Sequence, residues 1–153
     1  MYIKGYTIKI IIFLGGKIML KVYDETNSEV ESFQLVIGYI SGYNREELER
    51  KNEFDSIESF NALYYKIAQE VYDKSGVFVT ALTYKSRVLY PGAPEGGERV
   101  YVIQGSRNEK FTPDKEKYKN AVVKLARILA SELGQQTFSI SWANIKYSYF
   151  EKE

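Results

Sequence analysis

The chain of 153 residues contains no cysteine and no histidine. The first absence excludes disulfides, thiol nucleophiles, iron–sulfur clusters and zinc ribbons, and the second removes the commonest general base and metal ligand. An excess of charge of one sign is also missing: 21 Lys and Arg stand against 20 Asp and Glu, a formal net charge of +1. No global field steers such a chain to nucleic acid or anionic lipid, so a site for an anion has to be a local patch. Long apolar runs are absent as well. The strongest, residues 10–16, is flanked by Lys9 and Lys17 and falls far short of the ~20 residues of a membrane helix. No small-x-small cleavage pattern follows it, so a cytoplasmic protein without membrane association is expected.

What is present suits one hydrophobic core: 44% of residues are hydrophobic, 15% aromatic and 27% charged. A single domain over 1–153 is expected, with 1–23 as a hairpin extension and 30–150 as the core. Ile8, Ile10, Ile12 and Leu14 alternate ahead of Gly15-Gly16, and Ile18, Leu20 and Val22 alternate after it. This is the pattern of a β-hairpin with a two-glycine turn. Residues 24–29 are polar and read as a turn before a strand at 30–41 that carries Phe33, Leu35, Ile37 and Tyr39 on one face. A charged connection follows, with Asn44 placed to cap a short helix at 45–51.

Ile57, Phe60, Leu63, Tyr64, Ile67, Ala68 and Val71 fall at helical spacing, ended by Gly76. Asp55 and Glu58 read as a capping box for that helix. Residues 77–90 and 98–105 read as a second hairpin around the Gly- and Pro-rich loop 91–97. That loop has no helix or Lys-Ser/Thr after it and is flanked by Glu95 and Glu98, so it reads as a hairpin loop and not a phosphate loop. Thr112 and Pro113 open a second helix with Tyr118, Ala121, Val122, Leu125, Ile128 and Leu129 as its stripe, Gly134 beyond it, and a last strand at 137–150. On that strand the apolar residues change phase after Trp142, to Ile145, Tyr147 and Tyr149, which implies a change of neighbours.

From residue 30 the order is strand, helix, strand, strand, helix, strand. The expected fold class is therefore α+β: a ferredoxin-like βαββαβ antiparallel sheet with both helices on one face, preceded by an N-terminal β-hairpin.

If the second hairpin turns near Pro94, Arg87 lies opposite Tyr101 and Lys85 opposite Ile103. Odd positions then share a face, expected to point away from the helices while Leu82, Tyr84, Val88, Val100 and Val102 meet them. Lys85, Arg87, Arg99 and Tyr101 are on that odd face the candidate ligand-binding residues, cations for negative charge and a ring for stacking, with Arg107 added from the following turn. Ser106 and Asn108 flank Arg107 and read as turn residues that bond their own backbone. Carboxylates are plentiful but none is paired in an apolar setting, so no catalytic residue, cofactor or metal is assigned.

The function expected on these grounds is a non-catalytic interaction module. It self-associates as a dimer and binds a protein partner or an anionic small molecule; nucleic acid is not expected. The alternatives are a small cofactor-independent enzyme using Tyr, Arg or carboxylate chemistry, or a weak single-stranded nucleic-acid binder.

Overall fold

The computed structural model describes residues 7–14, 17–41 and 51–152, with the backbone alone for 7–14 and 17–26. The expected turn at Gly15-Gly16 and residues 45–50 of the expected short helix lie outside them.

The first helix, α1 (Ile57–Ser75), buries Phe60, Tyr64, Ile67 and Val71, one residue per turn on a single stripe. Its N-cap is Ser56, whose side chain accepts from the Ser59 N–H at 3.3 Å, and Gly76 ends it in the left-handed region at φ 70°. Asp55 is thus not the cap of α1. It closes a capping box with Asn52 around a single 3-10 turn, Glu53–Asp55, while Glu58 accepts from the Ser56 hydroxyl. The second helix, α2 (Lys115–Glu132), starts from Asp114, which accepts the Lys117 N–H at 3.0 Å. This is later than Thr112 and Pro113 suggested, because the carbonyls of those two residues accept from the Arg107 guanidinium, at 3.1 Å each. Gly134 takes φ 64° just past the helix end. Among the described residues, no helix is long and apolar enough to cross a membrane.

The strands are β1 (Thr7–Leu14), β2 (Lys17–Gly38), β3 (Leu82–Val88), β4 (Glu98–Ser106) and β5 (Ser139–Lys152). The polar stretch 24–29, expected as a turn, continues β2 without interruption; it contains neither Gly nor Pro to break a strand. β4 lies between β2 and β3, antiparallel to both, and β5 pairs with β2. The order β2, α1, β3, β4, α2, β5 with this pairing is the expected α+β, ferredoxin-like arrangement. Both helices and the odd residues of β2 and β4 contribute to one core.

The chain divides into two compact units, residues 31–143 and residues 1–30 with 144–153. In the smaller, β1 pairs with the start of β2, Leu14 opposite Lys17 and Thr7 opposite Asp24, and the Ser148 hydroxyl donates to Asn27. The apolar phase change after Trp142 falls next to the division at 143/144, with Ile140 half-buried before it and Ile145, Tyr147 and Tyr149 after it.

In the larger unit, the register of the second hairpin sets Lys85 opposite Tyr101 and Arg87 opposite Arg99. That is two residues from the expected pairing, so odd positions still share a face. The assignment of that face is reversed. Tyr101 and Ile103 are fully buried in the core with Phe33, Leu35 and Ile37, whereas Leu82 and Tyr84 on the other face are exposed. β4 is apolar at both parities, Val100 and Val102 as well as Tyr101 and Ile103, so its pattern carried no information about which face meets the helices. Gly105, opposite Phe33, marks a close approach: a Cβ there would stand 2.3 Å from the Thr80 carbonyl oxygen and 2.7 Å from the Phe33 ring.

Arg107 holds the end of β4 to the start of α2. Its Nε donates to Glu31 at 2.5 Å, its backbone N–H donates to the Glu31 carbonyl at 2.9 Å, and both side chains are nearly buried. Burial alone pushes the Glu31 carboxyl up, but the hydrogen bond and charge of Arg107 outweigh it and hold it below the usual carboxylate range. Removing one partner of such a pair leaves a buried charge unanswered, so Arg107→Ala is expected to cost about 3–5 kcal/mol. In thermal unfolding this reads as a fall on the order of 10 °C in Tm. A fall under about 2 °C would show that the pair does not hold this corner.

Candidate functional site

Asp55 gathers side chains from three strands or strand ends. Its carboxylate accepts from the Tyr39 hydroxyl at 3.0 Å, the Arg99 guanidinium at 3.0 Å and the Asn52 N–H at 2.9 Å. Its carbonyl accepts from Lys85 Nζ. The Tyr101 hydroxyl donates to the neighbouring Phe54 carbonyl at 2.5 Å. Two sheet residues, Lys85 and Tyr101, therefore hold the backbone of the 3-10 turn, and two more, Tyr39 and Arg99, hold its carboxylate. Rings close the arrangement: Phe60 stacks on Tyr101 at 3.7 Å and 7°, Tyr39 meets Tyr101 at 5.1 Å, and the Arg99 guanidinium lies 5.9 Å from the Tyr39 ring centre.

The electrostatics follow from this packing. Burial pushes Asp55 up, but the Asn52 N–H, the Tyr39 hydroxyl and the Arg99 charge prevail and keep its carboxyl below the ordinary range. Tyr39 is pushed up to about 12, by burial first and then by its bond to the Asp55 carboxylate. Tyr101 is also pushed up to about 12, by burial and then by the charges of Asp55 and Glu58. Both phenols are neutral hydrogen-bond donors at any physiological pH.

Of the residues expected to bind a ligand, Lys85, Arg87 and Arg99 converge at this end of the sheet. Arg87 stands directly opposite Arg99, a like-charge pair that is unfavourable unless an anion answers it. Asp55 answers Arg99; Arg87 is exposed, with the Gly97 carbonyl at 3.4 Å from its Nη1. Tyr101 is on the same face, but Phe60 and Tyr39 occupy its ring. Arg107 is elsewhere, committed to Glu31. Asn108 sits in a turn, its side chain accepting the Lys110 N–H at 3.1 Å and its carbonyl the Phe111 and Thr112 N–H groups.

The antiparallel course of α1 and the segment after Gly76 makes a seam that starts at this cluster. The Thr83 hydroxyl donates to Asn61 at 2.5 Å along it. Farther on, a groove of about 280 Å³ opens, lined by Tyr64, Tyr65, Gln69, Tyr72 and Phe78 among others. Its inner wall is fixed by the Tyr64 hydroxyl, which donates to the Val79 carbonyl at 2.6 Å. At its far end Phe78 stacks on Tyr72 at 4.4 Å. Sequence reasoning passed over Asp55 as a cap and over Tyr39 as a core ring. Tyr65, Gln69 and Tyr72 repeat at i, i+4 and i+7 beside the core stripe, a second stripe that was available in the sequence. Among the described residues, no three His, Cys, Asp or Glu side chains are grouped to hold a metal ion.

Lys85, Arg87, Arg99 and Asp55 thus cluster at one end of a helix–strand seam of an α+β fold, and aromatic side chains line a groove farther along it. The chain belongs to the SAM lyase family, whose model matches residues 28–151. This overturns the expectation of a non-catalytic interaction module and of a protein whose role is assembly: the family is one of enzymes. Comparison with curated proteins found no match. Among solved structures the chain is similar to a phage SAM lyase in complex with S-methyl-5'-thioadenosine, with 16% identity, coverage of 80% of this chain and 90% of that one, and a TM-score of 0.48. It is similar also to a phage SAM lyase in the apo state, with 14% identity, coverage of 82% and 90%, and a TM-score of 0.49.

The sign of the alkaline response follows from the two tyrosines. In the unfolded chain each phenol ionises near 10 and in the fold near 12, so their contribution is intact below pH 10 and is lost as pH rises toward 12. Thermal unfolding is expected to show a larger drop in Tm between about pH 9.5 and 11.5 for the wild type than for Tyr39→Phe/Tyr101→Phe. Equal drops would mean that these phenols are not held neutral by the cluster.

Proposed function

We propose that the chain cleaves S-adenosylmethionine (SAM) without water. The observation that carries this reading is the family match over residues 28–151, which takes in both helices and strands β3 and β4 whole. The chemistry suits the residue set. The sulfur of SAM carries a full positive charge and leaves as a neutral thioether, so no group has to protonate it. The lack of histidine and cysteine is then no obstacle to catalysis.

Of the carbons on that sulfur, the γ-carbon of the methionyl chain lies within reach of the substrate's own carboxylate. Attack by a carboxylate oxygen forms a carbon–oxygen bond and closes a lactone; the sulfur–carbon bond breaks and its electron pair goes to sulfur. The products are S-methyl-5'-thioadenosine and the lactone, with no water, proton, metal or cofactor consumed. The task left to the protein is to hold the flexible chain in the bent, reactive arrangement. Opposite charges cancel along this path, so an aromatic, water-poor site favours the transition state over the separated ions.

Arg87 takes one carboxylate oxygen and leaves the other to attack, while Lys85 and Arg99 keep their bonds to Asp55 and add positive charge beside it. What supports this placement is their shared face and the direct opposition of Arg87 and Arg99. Tyr101 and Arg107 have no contact role in this reading: one packs the cluster from within and the other ties Glu31 to α2. A cytoplasmic place of action belongs to the same proposal.

Purified chain incubated with SAM is expected to release S-methyl-5'-thioadenosine and a lactone that carries no ¹⁸O when formed in labelled water. Arg87→Ala is expected to lower kcat/KM roughly tenfold or more, the value of a charge-assisted hydrogen bond. Intact SAM after prolonged incubation with folded protein would sink the reading.

A dimer remains a separate proposal, supported by the exposed Leu82 and Tyr84 on the sheet face away from the helices. Light scattering is expected to give twice the chain mass at micromolar concentration, and a monomer mass overturns it.

A further inference from the structure

Arg87 and Arg99 are direct cross-strand partners, so their Cβ atoms stand about 5 Å apart and their side chains leave the same face of the sheet. A carboxylate has two oxygens, and two neighbouring arginines are placed to grip both. Here the two are not equivalent. Arg99 is turned into Asp55, Nη1 to Oδ1 at 3.0 Å, with side chains only 16% and 28% exposed, and its guanidinium lies 5.9 Å from the Tyr39 ring centre. Arg87 is exposed, its Nη1 at a long 3.4 Å from the Gly97 carbonyl. The Asp55 carboxylate is fixed from two further sides, by the Tyr39 hydroxyl at 3.0 Å and the Asn52 N–H at 2.9 Å, and these donors together with Arg99 keep it ionised. It is a rigid anion that holds one arginine of the two.

That asymmetry matters for closure of a lactone. The attacking carboxylate oxygen spends a lone pair on the new carbon–oxygen bond while the carbon–sulfur bond breaks and its electron pair goes to sulfur, so the carboxylate loses its negative charge on the way to the transition state. A charge-assisted hydrogen bond to that carboxylate is therefore stronger in the bound substrate than in the transition state, and a donor on the attacking oxygen also occupies the lone pair that must react. One cation positions the group. A second, on the free oxygen, tightens binding and slows the reaction.

We propose that Asp55 is a positioning residue that holds Arg99 back, so that Arg87 alone grips the substrate's carboxylate and one oxygen stays free to attack. The assignment rests on the SAM lyase reading for the identity of the substrate, but the hold of Asp55 on Arg99 has a binding readout of its own. A residue that only stabilised the turn at 53–55 would weaken binding when altered, whereas loss of a restraint strengthens it.

The test compares wild type, Asp55→Asn, Arg99→Gln, Arg87→Ala and the double variant Asp55→Asn/Arg99→Gln, with unfolding curves for each. Isothermal titration uses S-adenosylhomocysteine, which has the carboxylate and a neutral sulfur that does not leave, and S-methyl-5'-thioadenosine, which has no carboxylate; steady-state cleavage of SAM is measured beside it. Asp55→Asn is expected to bind S-adenosylhomocysteine about tenfold or more tighter than wild type, the value of one charge-assisted hydrogen bond, with S-methyl-5'-thioadenosine unchanged. Its KM for SAM and its kcat are expected to fall together by the same order. The double variant, with no second arginine to release, is expected to lose the gain in affinity and to recover most of kcat. Weaker binding or a raised KM in folded Asp55→Asn, or a kcat that stays low in the double variant, makes Asp55 structural and overturns the proposal while the lyase reading stands. Tighter S-adenosylhomocysteine binding in Asp55→Asn, abolished in the double variant, from a chain that leaves SAM intact keeps the restraint and removes the lyase reading. If Asp55→Asn unfolds, Arg99→Gln decides: it is expected to weaken S-adenosylhomocysteine by about threefold or less, as for a charge beside the ligand, against about tenfold for Arg87→Ala. Equal losses in those two variants put both arginines on the carboxylate and overturn the proposal.

Discussion

The carboxylate of Asp55 is the point on which the larger unit turns. A charge placed among Tyr39, Tyr101 and Phe60 is tolerable only if every direction of approach supplies a donor, and here the end of β2, β4 and the 3-10 turn each supply one. The pairing is reciprocal, because Arg99 stands across from Arg87 and needs a negative partner to occupy that position. The same turn offers its carbonyls to Lys85 and Tyr101. The chain entering α1 is thereby fastened to the sheet at four side chains, and α1 is aimed along β3.

That aim produces the seam. α1 and the segment after Gly76 run back along each other, so Tyr65, Gln69, Tyr72 and Phe78 line a groove between them. Charge concentrates at one end and aromatic surface at the other. The helix N-terminus adds its positive end to the three cations.

Glu31 and Arg107 perform the complementary task at the opposite end of β4. Their pair, with the Thr112 and Pro113 carbonyls, fixes where α2 begins, and Gly105 lets the Thr80 backbone and the Phe33 ring close over the strand beside it. Both devices place charge or backbone where apolar packing alone would be simpler. They determine geometry at the two ends of the strand that carries Tyr101 and Ile103 into the core.

The sequence by itself determined the elements that depend on local periodicity and capping. α1 follows from Phe60, Tyr64, Ile67 and Val71 at turn spacing with Gly76 beyond, the hairpins from alternation around glycine, and the ferredoxin-like order from the succession of those elements. It also marked Lys85, Arg87 and Arg99 as neighbours, because a register error of two residues preserves parity. Only the tertiary structure decided which side of the sheet faces the helices, since β4 is apolar on both. It alone gave Tyr101 and Arg107 to the interior, and it alone made Asp55 a junction, whose partners at residues 39, 85 and 99 are distant in the chain. Those facts belong to contacts between segments, and a charge or ring acquires its role from what is packed against it, which no local pattern encodes.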